Sequence, residues 1–120
     1  MFKLPQEIEV WYIIPRIRKE LSLILISKGY SYEQTGKVLG ITKAAVSQYV
    51  KNKRANKIKI SKEIQKEIKI SAEKIHAKES SALAEIQLIL KKMKSTKNSC
   101  DVCKQYNKEI LSYCNKNPTY

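Results

Sequence analysis

Hydrophobic residues recur along the chain at steps of three and four positions, and no strand-like alternation persists. That spacing places apolar side chains on one face of an α-helix. Glycine and proline are scarce, with three of each. The clearest apolar stripes are Ile17, Leu21, Ile24 and Leu25; Ile60, Ile64, Ile68, Ala72 and Ile75; and Leu83, Ile86, Leu90 and Met93. The pattern predicts an all-α protein, and 120 residues suffice for one domain, or one domain with an extension.

The first stripe predicts a helix that begins near Pro15 and ends at Gly29, because proline is tolerated in a first turn and glycine favours a helix end. A shorter helix over residues 6–13 precedes it, and we expect its Trp11 and Tyr12 to complete a small core. Helices over residues 61–79 and 82–94 carry the other two stripes. The polar positions of the first helix are expected to face solvent: Arg16, Lys19, Glu20 and Lys28.

Residues 32–54, YEQTGKVLGITKAAVSQYVKNKR, predict two short helices joined by a tight turn. Ser31 and Gln34 have the spacing of a capping box at the start of the first helix. Gly40 makes the turn, because only glycine adopts a left-handed backbone at little cost. Thr42 then caps a second helix over residues 43–51. This stretch therefore predicts a helix-turn-helix.

The side chains of this stretch divide into a buried set and an exposed set. Gly36 lies where the two helices approach closely, and a larger side chain would not fit there. Apolar contacts between the crossed helices are expected from Leu39, Ile41, Val46 and Tyr49. The outer face keeps short or polar side chains with a lysine at each end, which suits a surface that enters a nucleic-acid groove: Lys43, Ala44, Ser47, Gln48 and Lys51.

The charge of the chain is strongly positive, with 24 Lys and Arg against 11 Asp and Glu and a formal net charge of +13. Such an excess attracts polyanions at long range, although a lysine-rich surface can also serve solubility alone. The basic residues cluster after the second short helix, with no acid among them: Lys51, Lys53, Arg54, Lys57, Lys59 and Lys62. That clustering favours nucleic acid as the partner.

The predicted helix-turn-helix indicates which residues would contact DNA bases and which would contact phosphates. Gln48 can pair bidentately with adenine, Lys43 can reach guanine, and Ala44 can touch a thymine methyl group. The residues expected to face the major groove are Thr42, Lys43, Ala44, Ser47, Gln48 and Lys51. Those expected to bind phosphates, and so to set position and affinity, are Lys53, Arg54 and Lys57.

The two amphipathic helices after residue 60 carry more apolar surface than so short a chain is expected to bury alone. We therefore predict that they form a homodimer, which would hold two reading heads about one helical turn of DNA apart. The alternative is that they fold back on the first helices within one chain. The predicted organisation is a DNA-binding region over residues 1–57, a dimerisation region over 58–98 and a cysteine-containing segment over 99–120.

Cys100-x-x-Cys103 and Cys114 are candidate metal ligands. A redox dithiol ranks last because no strands are predicted, and a structural zinc site needs four ligands. Three cysteines suit a [3Fe–4S] cluster, or a [4Fe–4S] cluster with one iron open to a small thiol or amino acid. In one straight helix Cys103 and Cys114 would be roughly 16 Å apart. The helix must therefore break, or Cys114 must come from a partner subunit. Incidental thiols are the remaining alternative.

The first half of the chain resembles helix-turn-helix regulators of the lambda-repressor, or xenobiotic-response-element, class, and more closely archaeal predicted transcription regulators of that class. The resemblance rests on IPRIR at residues 14–18, on LGITKAAVSQY at residues 39–49 and on the Lys53-Arg54 pair. It implies transcription regulation and a C-terminal C-x-x-C with a further cysteine that binds a metal or an iron–sulfur cluster. Some similar proteins have a histidine soon after the last cysteine, where this chain has Asn115, Lys116 and Asn117.

The expected protein is a dimeric, cytoplasmic transcription regulator that binds operator DNA and senses through an iron–sulfur cluster. Alternatives keep the DNA binding with structural zinc or no metal, or make the chain a non-specific architectural nucleic-acid binder. No signal peptide or membrane span is predicted, because the apolar stretches are short and interrupted. An enzyme is not expected, since no nucleophile–base pair or cofactor loop is visible and His76 has no evident partner.

Overall fold

The computed structural model describes residues 4, 7, 9–51 and 60–95. Within these residues a π-helical turn at Glu9–Ile13 leads into five α-helices, and no strand is present. The helices are α1 at Ile14–Ser27, α2 at Tyr32–Leu39, α3 at Lys43–Val50, α4 at Lys62–His76 and α5 at Ala82–Ser95. The prediction of an all-α fold is confirmed for the described part of the chain.

The start of α1 differs from the predicted break between two helices. Ile13 keeps a helical backbone, with φ −78° and ψ −53°, so the π-helical turn continues directly into α1. Pro15 lies in the first turn of α1, as predicted. A proline has no N–H and its ring crowds the carbonyl four residues earlier. The wider π-helical turn accommodates that ring without ending the helix.

The hydrophobic core is centred on α1, which packs against each of the other α-helices. Ile17, Leu21 and Leu25 have no exposed surface. The second stripe is also buried as predicted, with Ile64 and Ala72 fully covered. One contiguous cluster joins these side chains to those of α2 and α5: Ile13, Ile17, Leu21, Leu25, Leu39, Ile60, Ile64, Ile68, Ala72, Ile75, Ala82, Ile86, Ile89 and Met93.

The shared core bears on the reason for predicting a dimer, which was the amount of apolar surface on α4 and α5. The apolar faces of α4 and α5 pack against each other and against α1, and Ile68 and Met93 are each only 1% exposed. The chain therefore buries most of the surface that was expected to need a second copy, while Leu83 stays exposed. These helices fold back on α1 within one chain, and the homodimer stays a prediction. Residues 60–95 share one core with the first helices.

Three predicted positions lie differently from expectation. Trp11 is 54% exposed, whereas Ile13 fills the core position beside it. Leu83 is 74% exposed because α5 turns its Ala82, Ile86, Ile89 and Met93 face inward, and this face has the same helical spacing as the predicted stripe. Lys19 is buried at 3% exposure, since the central helix is covered on several sides.

Burial has an electrostatic consequence at Lys19. Loss of hydration lowers the pKa of the Lys19 ammonium, the positive charge of Arg16 lowers it further, and Glu20 acts in the opposite direction. Arg16 and Glu20 form an ion pair one turn apart, at 3.1 Å between Nη2 and Oε1. The polar residues of α1 thus form a partly covered charged group rather than a solvent-facing row.

Candidate nucleic-acid interface

The start of α2 is fixed by the predicted capping box. The Oγ of Ser31 accepts a hydrogen bond from the Gln34 N–H at 3.1 Å, and the Gln34 Oε1 accepts one from the Ser31 N–H at 2.9 Å. The buried Thr35 hydroxyl donates to the Ser31 carbonyl at 2.8 Å. These bonds satisfy orphan donors of the first turn and set the direction in which α2 leaves the preceding loop.

The turn between α2 and α3 also forms as predicted. Gly40 takes the left-handed conformation, with φ 72° and ψ 32°, and the Ile41 N–H then donates to the Gly36 carbonyl at 2.9 Å. Thr42 is extended, and its Oγ1 accepts a hydrogen bond from the Ala45 N–H at 3.0 Å. This side-chain cap begins α3 directly after a three-residue connection.

Gly36 sets how closely the turn approaches α2. A Cβ built on Gly36 would lie 2.7 Å from the carbonyl oxygen of Ile41. That distance is far below van der Waals contact, and the opposing atom belongs to the backbone and cannot rotate away. The predicted close approach at Gly36 is confirmed, and it holds the turn and the first residues of α3 against α2.

The inner side of α3 is held by burial. Val46 has no exposed surface and Tyr49 is 4% exposed, and α3 packs against both α1 and α2. Leu39 is buried at the end of α2, and Ile41 packs partly buried against the core. The predicted contact set of the two short helices is confirmed. Its burial leaves α3 only one orientation on the molecule.

The outer side of α3 carries the residues predicted to face the major groove. Ala44, Ser47, Gln48 and Lys51 lie on the side of α3 opposite Val46 and Tyr49, whereas Thr42 and Lys43 lie at its N-terminal end, about one turn before Val46. Those with exposed side chains are Thr42, Lys43, Ala44, Gln48 and Lys51, and Ser47 is partly exposed. We call the surface formed by these six residues the α3 face.

The α3 face lies in an acid-free stretch of sequence. Between Glu33 and Glu63 the chain has no Asp or Glu, although it has the basic residues Lys37, Lys43, Lys51, Lys53, Arg54, Lys57, Lys59 and Lys62. Lys37 pairs with Glu33 at 3.7 Å on the exposed side of α2. Lys43 adds its charge to the positive end of the α3 dipole. Every charged residue of the α3 face is therefore a lysine.

Other predicted site residues lie outside the described part of the chain. These are the phosphate-binding candidates Lys53, Arg54 and Lys57 and the metal-ligand candidates Cys100, Cys103 and Cys114. Within residues 4, 7, 9–51 and 60–95, no group of three His, Cys, Asp or Glu side chains could hold a metal ion. The predicted metal site is therefore not tested by the described residues.

Side-chain contacts between α4 and the loop after α1 were not predicted from the sequence. The Nδ1 of His76 lies 3.3 Å from the hydroxyl of Tyr30, and their rings are 5.7 Å apart, so His76 does have a partner. The ammonium of Lys28 donates to the Glu73 carboxylate. This hydrogen bond is the main cause that lowers the pKa of Glu73; burial opposes it, and the charges of Lys28 and His76 add to it. The partners lie more than 40 positions apart, beyond the reach of a local pattern.

Comparison with protein-family models, with curated proteins and with solved structures finds no match for this chain. The resemblance to helix-turn-helix regulators thus stays a prediction. None of the described helices has the length and apolar character needed to cross a membrane.

Proposed function

We propose that the chain is a sequence-specific DNA-binding transcription regulator in which α2, the turn over residues 40–42 and α3 act as a helix-turn-helix. The observation that carries the proposal is the α3 face. Its orientation is fixed by the burial of Val46 and Tyr49, and its exposed residues are short or polar with Lys43 and Lys51 near its ends. An α-helix with its side chains is roughly 10–12 Å in diameter, and a major groove about 12 Å wide admits such a helix.

The chemistry of the α3 face supports reading of base edges. Gln48 offers both a donor and an acceptor to adenine, Lys43 offers donors to guanine, and Ala44 can touch a thymine methyl group. Thr42 and Ser47 can bond to bases or to phosphates. The absence of acids from residues 34–62 removes the side chains that would repel the phosphate backbone.

The test begins with selection of binding sites from random double-stranded DNA by the full chain. Affinity for the selected site is then measured for the wild type, for Gln48→Ala and for Gln87→Ala, the last being a matched control because Gln87 is exposed on α5. We expect Gln48→Ala to cost about 1–3 kcal/mol and to relax one base position, while Gln87→Ala changes neither. If Gln48→Ala leaves affinity and preference intact, the docking of α3 is wrong.

Phosphate contacts are tested separately with Lys57→Ala. This change is expected to weaken binding to all sequences alike and to reduce the salt dependence by about one unit of slope. Competition with random DNA separates specific binding from the alternative of a non-specific architectural protein. Equal competition by random and selected DNA would favour the architectural alternative.

The oligomeric state and the sensor remain proposals that rest on the sequence. Two half-sites about one helical turn apart in the selected DNA would indicate two bound copies, and a single short site would indicate one. Cys100, Cys103 and Cys114 supply soft thiolate donors that suit an iron–sulfur cluster or zinc. An open iron would then take a small thiol or amino acid. Anaerobic purification followed by iron, sulfide and zinc analysis tests this, and a metal-free protein with full operator affinity contradicts it.

A further inference from the structure

A groove lies between α2 and α5, and none of its lining residues belongs to the α3 face. Val38 of α2 lines three adjoining cavities of about 380, 400 and 510 Å³. The cavity of about 380 Å³ has apolar lining residues from both helices. They are Leu39 from α2 and Ala82, Leu83 and Ile86 from α5. We call this surface the Val38 groove.

The Val38 groove exposes apolar side chains that the core does not use. Leu83 is 74% exposed and Val38 is 37% exposed. Both stand beside the core residues Leu39 and Ile86, so the apolar surface continues from the interior to the outside. A concave apolar surface of this kind is typical of a binding site, whereas single exposed leucines elsewhere need no such explanation.

The rim of the Val38 groove is positive. Arg18 of α1 and Lys37 of α2 line the cavity of about 380 Å³, whose lining residues include no carboxylate, and Lys37 pairs with Glu33 at 3.7 Å outside it. Lys78 lines the two adjoining cavities, of which one also contains Glu79. The Nε of Arg18 is buried without a hydrogen-bond partner among the described residues. That Nε is covered and cannot be reached by a ligand, but the positive charge of Arg18 and Lys37 makes a carboxylate the complementary group at this end of the groove.

Lys78 reaches the groove at an energetic cost. Its φ is +61°, a left-handed conformation in which a side chain other than glycine is strained. The Glu79 N–H donates to the Lys74 carbonyl at 2.9 Å, as in a helix end that usually has glycine at this position. This hydrogen bond of the helix end accounts for the conformation of Lys78 and places it beside the groove. Here the lysine adds a cation to the rim.

We propose that the Val38 groove binds an acidic amphipathic helix of a partner protein. Apolar side chains of that helix would lie between Val38 and Leu83, and its carboxylates would face Arg18, Lys37 and Lys78. Charge argues against the other occupants. The segment over residues 96–120 has four lysines against Asp101 and Glu109, and a second copy carries the same +13 charge. The groove contains no residue of the α3 face, although Gly40 of the turn lines it.

The probe is a fluorescein-labelled synthetic peptide of about 18 residues, roughly five helical turns. It carries leucines at helical spacing of three and four on a glutamate-rich background. The control peptide has the same composition with the leucine spacing scrambled. We expect saturable binding of the first peptide to the full chain at physiological salt, with amide chemical-shift changes at Val38, Leu83 and Ile86. The scrambled peptide should bind roughly tenfold more weakly.

Two matched variants locate the binding. Leu83→Glu places a negative charge in the groove and should weaken peptide binding roughly tenfold or more, as removal of an interface anchor does. Leu88→Glu is the control, because Leu88 is 55% exposed on the same helix and lines none of the three cavities. It should leave peptide affinity unchanged. Circular dichroism melts of both variants confirm that each is folded.

Several results would overturn the proposal. They are the absence of saturable binding, equal binding of the two peptides, and equal loss with Leu83→Glu and Leu88→Glu. Shift changes on the α3 face instead of the groove would mean that the peptide merely occupies the polyanion surface. Concentration-dependent shifts at Leu83 without peptide would assign the groove to a second copy.

Discussion

Gly36 shows how one missing side chain sets the geometry of the proposed DNA-binding unit. A Cβ there would lie 2.7 Å from a backbone oxygen of the following turn. We expect Gly36→Ala to lower the free energy of unfolding by about 1–3 kcal/mol, the usual cost of overpacking, measured by urea denaturation.

Gly40→Asn is the matched control for Gly36→Ala. A Cβ at Gly40 meets nothing within 4 Å, and asparagine tolerates its positive φ of 72° better than other residues do. This control should therefore lose less stability. Equal stability of Gly36→Ala and the wild type would mean that the turn can move away from α2.

Lys78 offers the opposite change, a substitution that stabilises. Lys78→Gly removes the left-handed strain at φ +61°, and we expect a gain of about 1 kcal/mol in thermal or urea unfolding. The neighbouring Ala77→Gly is the control, because Ala77 has φ −76° and gains nothing from glycine. A gain in both variants, or in neither, would contradict the role of strain. Lys78→Gly should also weaken peptide binding in the Val38 groove, so stability and binding would move in opposite directions.

Residues whose conformation depends on near neighbours were predictable from the sequence, and others were not. Ser31, Gly40 and Thr42 act through groups within four positions of themselves, so spacing alone identified them. Lys19 and Leu83 were misplaced because their exposure depends on which helices pack beside them. A local pattern gives no information about those helices.

At the scale of one element, the Thr42 cap stabilises α3, the helix that carries the proposed DNA-binding face. Thr42→Ala removes the oxygen that accepts from the Ala45 N–H, and we expect a loss of about 0.5–2 kcal/mol. Thr42→Ser keeps the oxygen and should lose much less. Urea denaturation of both variants measures the difference. Equal losses would show that the hydroxyl is not what begins the helix.

The contact between Lys28 and Glu73 links the end of α1 to α4 and predicts a pH dependence. The pKa of Glu73 is lowered in the folded chain from an ordinary value near 4.5. The stabilisation is therefore fully present above pH 4.5 and is lost as the pH falls below it through the lowered pKa. Glu73→Gln should reduce the melting temperature at neutral pH and flatten its decline towards acid pH.

Lys28→Met provides the control for this pH effect, because it removes the hydrogen bond that is the main cause of the lowered pKa. It should likewise reduce the fall in melting temperature towards acid pH. The double variant should be no flatter than either single variant, as a double-mutant cycle requires of one shared interaction. An unchanged acidic decline in Glu73→Gln would show that other carboxyl groups set it.

At the scale of the whole molecule, amphipathic stripes predicted which faces would be buried but not what would cover them. The same row of Ile64, Ile68 and Ile75 can pack on a second copy or on α1. Both solutions satisfy the helical spacing, and only long-range contacts choose between them. For this reason the all-α class was predictable, whereas the packing of α4 and α5 on α1 was not.

The shared core predicts that residues 1–57 do not fold by themselves, whereas two separate domains divided at residue 57 would each fold alone. A chain of residues 1–57 lacks α4 and α5, so Ile17, Leu21 and Leu25 lose the helices that cover them. We expect this fragment to show no cooperative thermal transition by circular dichroism and no dispersed amide spectrum, because burial of apolar surface supplies most of the folding free energy. A chain of residues 1–95 is the control, since it retains every residue of the described core, and it should melt cooperatively. A cooperative transition in residues 1–57 would mean that the proposed helix-turn-helix folds as an independent unit and that α4 and α5 only dock onto it.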